Sequence, residues 1–420
     1  MVGPRSETLA ALVRSWRHEV TKGRRAAPGL VAIVVMLAAC SSPTADVTTA
    51  ELREVIEADA VVLEDQTTPG PVVDRLADNR VVLLGETHHL REHWAFVAEL
   101  MSDLNDHGFR QLLIERPQMN DWLIDDYVLG GEVAPDWVPP PYFDRRFTAI
   151  REINATLPAQ QRIHVRSIDA NEDHSGGATD FKILFDMLVG LLPAAGSLDL
   201  TIPTGYPDMS RDEQDRAMAT LSTTLEDNRS LLVETWGEFR YEQVAEMVEV
   251  EAASIDIREQ RKEDDNGAAR SREDLIKRLV DRRIAEDPGG TVINIGAHHA
   301  QKSHLMGTEQ QWLGDYLTHQ SAAVEGSMIV IGFTSARTEL EAGAGGTPFD
   351  ILESASPENE ILRVMAETWP NQTVFLLLDD PLFVDRTVAY NSEDVIYVSP
   401  LGEQFDALIQ YGIAHRMPVN

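Results

Sequence analysis

The sequence predicts an α/β fold in which helices flank a central, mostly parallel mixed sheet, with one large helical insertion. Three observations lead to this fold class. Short apolar runs typical of buried strands alternate with segments that carry apolar residues at helical spacing. The first clear strand, the helix after it and the next strand form a unit that favours a right-handed parallel crossover. A stretch at 178–286, about a hundred residues, is patterned almost entirely as helix and exceeds an ordinary connection.

The predicted elements follow one another along residues 51–420, which we interpret as a single domain. Apolar runs of strand length predict strands at 80–84, 111–114, 163–168, 291–295, 328–333, 374–378, 395–398 and 408–411. Apolar residues at helical spacing predict helices at 49–58, 93–104 and 147–157. Breaks near 193–207 and 266–267 divide the helical insertion, which we expect to form a lid or a substrate-binding cap over the sheet.

The amino-terminal segment has the pattern of an export signal. An apolar run at 30–39 follows basic residues and is too short to cross a bilayer comfortably. The run ends in a lipobox-like pattern, in which Cys40 is lipidated and becomes the mature amino-terminus. We therefore predict a lipoprotein signal peptide at 1–39, a tether at 40–50, and a cell-envelope protein anchored on the extracytoplasmic side. The alternative is a plain signal peptide, or a short anchor helix, with an incidental cysteine.

The composition and the absence of several known motifs exclude some classes of partner and of catalytic site. The formal net charge is −33, which argues against a nucleic-acid partner because neutralising phosphates requires clustered Lys and Arg. Cys40 is the single cysteine, so its lipidation leaves no thiol for catalysis or disulfides. The sequence has no HExxH, no Cys-based zinc pattern, no phosphate-binding glycine loop and no GxSxG motif. A serine hydrolase is therefore unsupported.

Six of the twelve histidines lie in two clusters, each just after a predicted strand. The clusters are His88, His89 and His93 in the first, and His298, His299 and His304 in the second. Open α/β sheets place their sites beyond the carboxyl ends of strands, so we expect the two clusters to meet in one pocket. Imidazole is the side chain best suited to proton transfer and metal ligation near neutral pH.

Carboxylates at strand ends are predicted to join the histidines. Glu86 and His88 are two residues apart, so an extended backbone directs both side chains to the same face. Glu115 directly follows an apolar strand, where a carboxylate must be hydrogen-bonded, paired or metal-bound. Asp169 follows a less apolar strand and has weaker support. The alternative for Glu115 is a solvated charge at the end of its strand.

The other histidines leave alternatives open. His298 follows two small residues that allow close approach of backbone or substrate, and is either a pocket residue or a buried histidine with satisfied hydrogen bonds. His93 and His299 are candidates for cofactor binding. His89 and His93 share a face if the following helix begins near His89. Otherwise these two are surface residues of the first helical turn, and His304 is similarly open.

Histidine and glutamate from separate strand ends suit two kinds of chemistry. A His/Glu pair can act as a general base that activates water. A His/carboxylate centre can instead hold a divalent metal that lowers the pKa of bound water, with Glu86, His88, Glu115 and His298 as its ligands. The residues by themselves leave both open.

Taken in order, these motifs resemble one known group. Gly-Glu-Thr-His at 85–88, the helix after it and the strand ending in Glu115 are similar to the start of the erythromycin esterase-like proteins. They are equally similar to the ChaN-like, haem-binding iron-regulated lipoproteins. Later segments that resemble esterase motifs are the strand ending in Asp169, Arg-Glu-Asp at 272–274, Gly-Ala-His-His at 296–299, and 405–409. The departures are His89 for a usual glycine, Gln301 for a histidine, and the interposed Glu273.

The resemblance implies a hydrolase that uses water to cleave an ester, lactone or amide. In this leading hypothesis His88 is the general base, Glu86 and Glu115 orient it or bind metal, and His298 stabilises the developing oxyanion. Distant relatives of the TraB and TIKI type use similar positions to bind a divalent metal. The alternative is a haem- or metal-binding surface lipoprotein without catalysis, with His88, His93 or His298 as ligands. The expected partners are a small-molecule substrate or haem, and the membrane through the lipid anchor.

Overall fold

The computed structural model describes residues 48–418 apart from short gaps. The gaps are 65–66, 133–140, 173–176, 197, 305–309, 325, 347, 354–359, 385–386 and 393–394. The signal peptide predicted at 1–39, Cys40 and most of the tether at 40–50 lie outside the described residues and stay predictions. Within the described part of the chain, no helix has the length and apolarity that a membrane crossing requires.

The described strands build one large mixed sheet and one separate hairpin. They are β1 (Val61–Leu63), β2 (Val81–Glu86), β3 (Phe109–Pro117), β4 (His164–Asp169), β5 (Gly290–Gly296), β6 (Met328–Leu340), β7 (Phe349–Asp350), β8 (Thr373–Leu377), β9 (Thr387–Ser392), β10 (Val395–Pro400) and β11 (Ala407–Arg416). The sheet runs β1-β8-β11-β6-β2-β5-β3-β4, with β7 beside β6. The hairpin is formed by β9 and β10.

Helices cover the sheet and fill the interval between β4 and β5. They are α1 (Thr49–Asp59), α2 (Gly70–Ala77), α3 (Arg91–Asn105), α4 (Asp121–Val128), α5 (Pro141–Thr156), α6 (Gly177–Leu191), α7 (Arg211–Asp227), α8 (Arg229–Trp236), α9 (Glu238–Arg261), α10 (Asp265–Glu286), α11 (Leu313–His319), α12 (Glu360–Thr368), α13 (Pro381–Val384) and α14 (Leu401–Gln404). The predicted fold class, α/β with a mostly parallel mixed sheet and flanking helices, is confirmed.

Six neighbouring strands are parallel, and this brings their carboxyl ends to one edge of the sheet. The run is β11-β6-β2-β5-β3-β4, whereas β8, β1 and β7 are antiparallel additions. At that edge Glu86, the last residue of β2, pairs with Gly296, the last residue of β5. The register therefore places the residues that follow the two strands next to each other.

The strands are continuously apolar because helices bury the sheet on both faces. Val81 and Leu83 of β2 belong to one hydrophobic core, and Val82 and Leu84 belong to the other. All six residues of β2 are buried. A strand with a solvated face would alternate apolar and polar residues, which is why these runs are easy to recognise in the sequence.

The helices of the insertion divide into two groups. Leu275 and Leu279 of α10 pack into the same core as Leu83 of β2, so α10 lies against the sheet. The helices α6, α7 and α8 contribute instead to a third core, which includes Phe181 and Leu221. The break expected near 266–267 lies at 262–264, between the end of α9 at Arg261 and the start of α10 at Asp265.

Several strands are longer than predicted. β2 runs through Glu86 and β3 through Pro117, so Glu86 and Glu115 are strand residues and do not follow their strands. β6 and β11 continue as a parallel pair to Leu340 and Arg416 through a largely polar segment that carries no apolar signal. The strands β1, β7 and β9 were not predicted, and β10 lies outside the sheet.

His89 lies in the turn between β2 and the next helix, so the condition under which it would share a helix face with His93 is not met. The helix α3 begins at Arg91, and His89 has a φ of 67°, the one positive φ of a non-glycine residue in the described chain. The His89 carbonyl accepts a hydrogen bond from Met417 N at 2.8 Å, which holds the turn in place. A left-handed conformation costs a non-glycine residue about 1–2 kcal/mol, so His89 is strained where esterase-like proteins usually have glycine.

We expect His89→Gly to raise the free energy of unfolding by about 0.5–1 kcal/mol. The relief of left-handed strain exceeds the conformational entropy that glycine adds to the unfolded chain. Urea unfolding measures the change. His89→Ala is the control, because it removes the imidazole and keeps the strain, and equal stability of the two variants would contradict a strained turn.

Candidate active site

Glu86 and His88 form a hydrogen-bonded pair at the carboxyl end of β2. His88 Nδ1 lies 2.8 Å from Glu86 Oε1, in line with the two-residue spacing. The His88 side chain is 51% exposed and that of Glu86 is 9% exposed, so the imidazole reaches solvent while the carboxylate is covered. With Nδ1–H donated to the carboxylate, Nε2 is the atom left to accept a proton.

Two buried side chains hold the second oxygen of Glu86. Asn294 Nδ2 donates to Glu86 Oε2 at 2.8 Å, and His93 Nε2 lies 3.3 Å from the same oxygen. His93 Nε2 also donates to Asn294 Oδ1 at 2.6 Å. His93 is 1% exposed and packs edge-on to Phe333 with ring centroids 4.4 Å apart. His93, predicted as a cofactor ligand, thus lies behind Glu86 and orients its carboxylate.

These contacts keep Glu86 ionised and make His88 more basic. Burial alone would raise the pKa of Glu86, but the His88 hydrogen bond, the charges of His93 and His88, and the Asn294 hydrogen bond lower it to about 2. Burial would likewise lower the pKa of His88, but the hydrogen bond and charge of Glu86 and the charge of Glu115 raise it above 6.5. This is the electrostatic arrangement of a general base and its orienting carboxylate.

Glu115 is the centre of a second cluster at the same edge of the sheet. Its Oε2 accepts the N–H of Gly296 at 2.8 Å, and its Oε1 accepts a hydrogen bond from Arg272 Nη2 at 2.7 Å. His88 Nε2 lies 4.0 Å from Oε2, and His299 Nε2 lies 3.6 Å from Oε1. Burial alone would raise the pKa of Glu115, but the charges of His299, Arg272 and His88 hold it well below its usual value.

Arg272 of α10 joins the ends of two strands. Its Nε donates to Asp169 Oδ1 at 2.7 Å and its Nη2 to Asp169 Oδ2 at 2.6 Å, in addition to the Glu115 hydrogen bond. The carboxylates at the ends of β3 and β4 therefore share one guanidinium. The region expected to form a lid or cap contributes α10 directly to the site, as a wall packed on the sheet.

The second histidine motif places its two imidazoles in different surroundings. His299 is buried, with Nδ1 2.6 Å from Glu273 Oε2 and its ring edge-on to Trp312, centroids 4.9 Å apart. The other oxygen of Glu273 accepts the N–H of Leu313 at 2.7 Å. Burial would lower the pKa of His299, but the charges of Glu273 and Glu115 raise it. His299 therefore lies buried between two carboxylates, which favour its protonated form.

His298 is the neutral imidazole of the site. Burial, followed by the charges of His299 and His88, lowers its pKa to about 4. Its ring centroid lies 6.2 Å from that of Trp312. A neutral imidazole can donate a hydrogen bond to a developing oxyanion while adding no positive charge to a site that already holds several.

Gly296 allows the two carboxylate clusters to meet. A Cβ at this position would lie 2.9 Å from His88 Nε2 and 3.2 Å from Glu115 Oε2. Any larger residue would push these side chains apart. The glycine at the end of β5 thus permits the His88 and Glu115 side chains to approach each other across β5.

The structure brings together most of the predicted site residues. Glu86, His88 and Glu115 lie in one connected cluster, with His298 within electrostatic reach of His88. His304 is exposed. The residues that sequence reasoning missed as site members are Asn294, Arg272, Glu273 and Trp312. The sequence does contain a signal for Asn294: an amide within an apolar strand is buried and needs a hydrogen-bond partner, which indicates a polar site nearby.

The four residues predicted as metal ligands do not fit a divalent cation as they stand. Both oxygens of Glu86 and both oxygens of Glu115 already accept hydrogen bonds from N–H donors. The Arg272 guanidinium occupies the position beside Glu115 that a cation would need. Among the described residues no group of three His, Cys, Asp or Glu side chains has the geometry to hold a metal.

Solved structures show which proteins share this fold. No protein-family model matches the sequence, and no curated protein matches it. A Bacillus cereus protein matches with a TM-score of 0.66 at 17% identity, over 89% of this chain and 100% of its own. A succinoglycan biosynthesis protein matches with a TM-score of 0.62 at 13% identity, over 88% and 98%.

The erythromycin esterase EreC, solved as a His-to-Asn mutant in its open conformation, matches with a TM-score of 0.58. Its identity to this chain is 14%, over 86% of this chain and 98% of its own. A haem-binding ChaN structure of Campylobacter jejuni reaches a TM-score of only 0.29 at 11% identity, which is too low to argue from. This chain therefore shares the fold of the erythromycin esterase EreC.

Proposed function

We propose that this chain is an exported lipoprotein hydrolase in which His88 activates water for attack on an ester, lactone or amide carbonyl. The observation that carries the proposal is the 2.8 Å contact between His88 Nδ1 and Glu86 Oε1, with the Glu86 carboxylate fixed from behind by Asn294 and His93. The fold that this chain shares with an erythromycin esterase supports the hydrolysis of an ester or a related carbonyl bond.

The proposed reaction uses only side chains at the described edge of the sheet. Water adds to the carbonyl carbon while its proton passes to His88 Nε2, and ionised Glu86 stabilises the imidazolium that forms. The oxyanion accepts a hydrogen bond from His298, which is neutral because its pKa is about 4. When the carbon–oxygen or carbon–nitrogen bond breaks, His88 returns the proton to the leaving group. The products are a carboxylic acid and an alcohol or amine.

We expect His88→Ala to lower kcat/KM by about 10²–10⁴-fold, the usual contribution of general-base catalysis. The measurement is hydrolysis of a panel of esters and lactones, with near-ultraviolet circular dichroism to verify folding. His319→Ala is the matched control, because its side chain is 57% exposed on α11. Full activity of His88→Ala would refute the proposed base. A haem Soret band that depends on His88, with no hydrolysis, would support the haem-binding alternative.

We expect the wild-type kcat/KM to rise with pH through the pKa of His88, because only the neutral imidazole can accept a proton. Glu86 raises that pKa above 6.5, so Glu86→Gln should move the rising limb to lower pH and lower the maximal rate. A pH–rate series on both proteins measures the shift. An unmoved limb would show that Glu86 does not set the basicity of the catalytic base.

The lipoprotein part of the proposal is supported by the lipobox-like pattern that ends at Cys40. We expect the full chain made in a bacterial host to partition into the detergent phase of a phase-separating detergent. The Cys40→Ser variant should move to the aqueous phase if its signal peptide is removed, because one or more acyl chains are then missing. Equal partitioning of the two, with no lipid mass on the wild type, would refute lipidation.

A further inference from the structure

A cavity of 890 Å³ lies at the edge of the sheet opposite the candidate active site. Its wall includes Gln111 near the start of β3 and His164 at the start of β4, together with residues of α9 and the last turns of α10. β3 and β4 run from this edge to the edge that holds Glu115 and Asp169. The cavity is therefore separate from the proposed hydrolytic site.

Five arginines line this cavity, although the chain has 69 acidic residues against 36 Lys and Arg. Three of them are neutralised by carboxylates. They pair as Arg166 with Asp121 at 2.8 Å, Arg282 with Glu249 at 2.9 Å, and Arg283 with Glu246. The other two arginines of the wall are Arg110 and Arg162.

Arg110 and Arg162 have no carboxylate partner in the described part of the chain. Arg110 Nη1 donates to the carbonyl of Phe109 at 3.0 Å and to that of Asn105. Arg162 Nη1 donates to the carbonyl of Leu129 at 3.2 Å. Among the described residues, both guanidinium groups therefore hydrogen-bond only to neutral backbone oxygens. Each has further N–H groups that can donate to a ligand.

A buried amide holds these two arginines on the same wall. Asn105 is 3% exposed, and its Nδ2 donates to the carbonyl of Phe109 at 3.1 Å and to that of Gln161 at 2.9 Å. Phe109 precedes Arg110, and Gln161 precedes Arg162. The turns that enter β3 and β4 are therefore tied together, which makes the pair of arginines a fixed feature of the cavity.

The unmet hydrogen-bonding groups of the wall are donors. Arg162 Nε, Arg283 Nε and Gln243 Nε2 are buried without an acceptor among the described residues. Gln243 is 2% exposed and Arg283 is 4% exposed. Leaving such donors unpaired is costly, and an acceptor that hydrogen-bonds to them would relieve this cost.

The carboxylates that line the cavity, by contrast, already have donors. Glu242 accepts a hydrogen bond from Arg229 at 2.8 Å, and Glu286 accepts one from Arg283 at 3.1 Å. Asp287 Oδ1 accepts the N–H of Gly289 at 2.8 Å. The carboxylates of the wall are therefore already hydrogen-bonded, whereas, within the described part of the chain, three of its N–H donors are not.

Phe239 adds an exposed aromatic ring to the same wall. Phe239 is 48% exposed, which is unusual for phenylalanine. Arg166 Cζ lies 5.8 Å from the centroid of its ring. An exposed ring beside arginines is suited to stacking against a flat ring of a ligand.

We propose that this cavity binds a small molecule in which a phosphate is attached to a flat ring. The phosphate lies between Arg110 and Arg162, and the ring packs on Phe239. Donors from several elements match the three peripheral oxygens of a phosphate better than the two oxygens of a carboxylate. The proposal does not depend on the hydrolase function.

The test is isothermal titration calorimetry of the full chain with phenyl phosphate, inorganic phosphate and benzoate. We expect phenyl phosphate to bind most tightly. Arg110→Gln and Arg162→Gln should each weaken its binding by about tenfold or more, because each removes charge-assisted hydrogen bonds. Arg337→Gln is the matched control, since it makes the same charge change on β6, where the side chain is 46% exposed. This control should bind as the wild type does.

Phe239→Ala separates the ring subsite from the phosphate subsite and removes an exposed side chain, so folding is retained. It should weaken phenyl phosphate and leave the affinity for inorganic phosphate unchanged. His88→Ala should bind phenyl phosphate as the wild type does, which keeps this test independent of the hydrolase. The proposal is overturned if phenyl phosphate does not bind, if benzoate binds as tightly, or if the Phe239 and arginine variants retain wild-type affinity.

Discussion

The burial of two ionised carboxylates at neighbouring strand ends is the constraint on which the rest of the site depends. Glu86 and Glu115 are nearly enclosed, and an unpaired buried carboxylate would cost several kcal/mol. Their compensating donors come from elsewhere: Asn294 and Gly296 from β5, and Arg272 from α10. The sheet order and the packing of α10 are thus tied to the electrostatics of one edge.

That electrostatic arrangement gives the histidines of the site different pKa values. The pKa of His88, which is paired with Glu86, is raised, whereas burial and the charges of His299 and His88 lower the pKa of His298 to about 4. The pKa of His299, which lies between Glu273 and Glu115, is also raised. Pushing the pKa values of neighbouring groups apart is how one site supplies both a proton acceptor and a neutral hydrogen-bond donor.

The helix α10 serves both edges of the sheet. Arg272 near its start meets Glu115 and Asp169, while Arg283 near its end lines the arginine-rich cavity. At 1.5 Å per residue these two arginines are about 16 Å apart along the helix axis. The solved structures that share this fold are 13–17% identical to this chain, so the common fold leaves the chemistry of either edge to this chain's own side chains.

Local patterns in the sequence determined the fold class and the Glu86–His88 pair. Strands buried on both faces are continuous apolar runs, and a two-residue spacing on extended backbone fixes a shared face. The left-handed turn at His89 was missed because its φ is set by the packing of the chain end, through Met417, and not by neighbouring residues. Only the tertiary structure placed Asn294 and His93 behind Glu86, buried His299 and paired Arg272 with two carboxylates. Those contacts depend on which strands and helices lie side by side. Asn294 is 208 positions from Glu86 and Arg272 is 157 from Glu115, so neither pair carries a local signal of its contact.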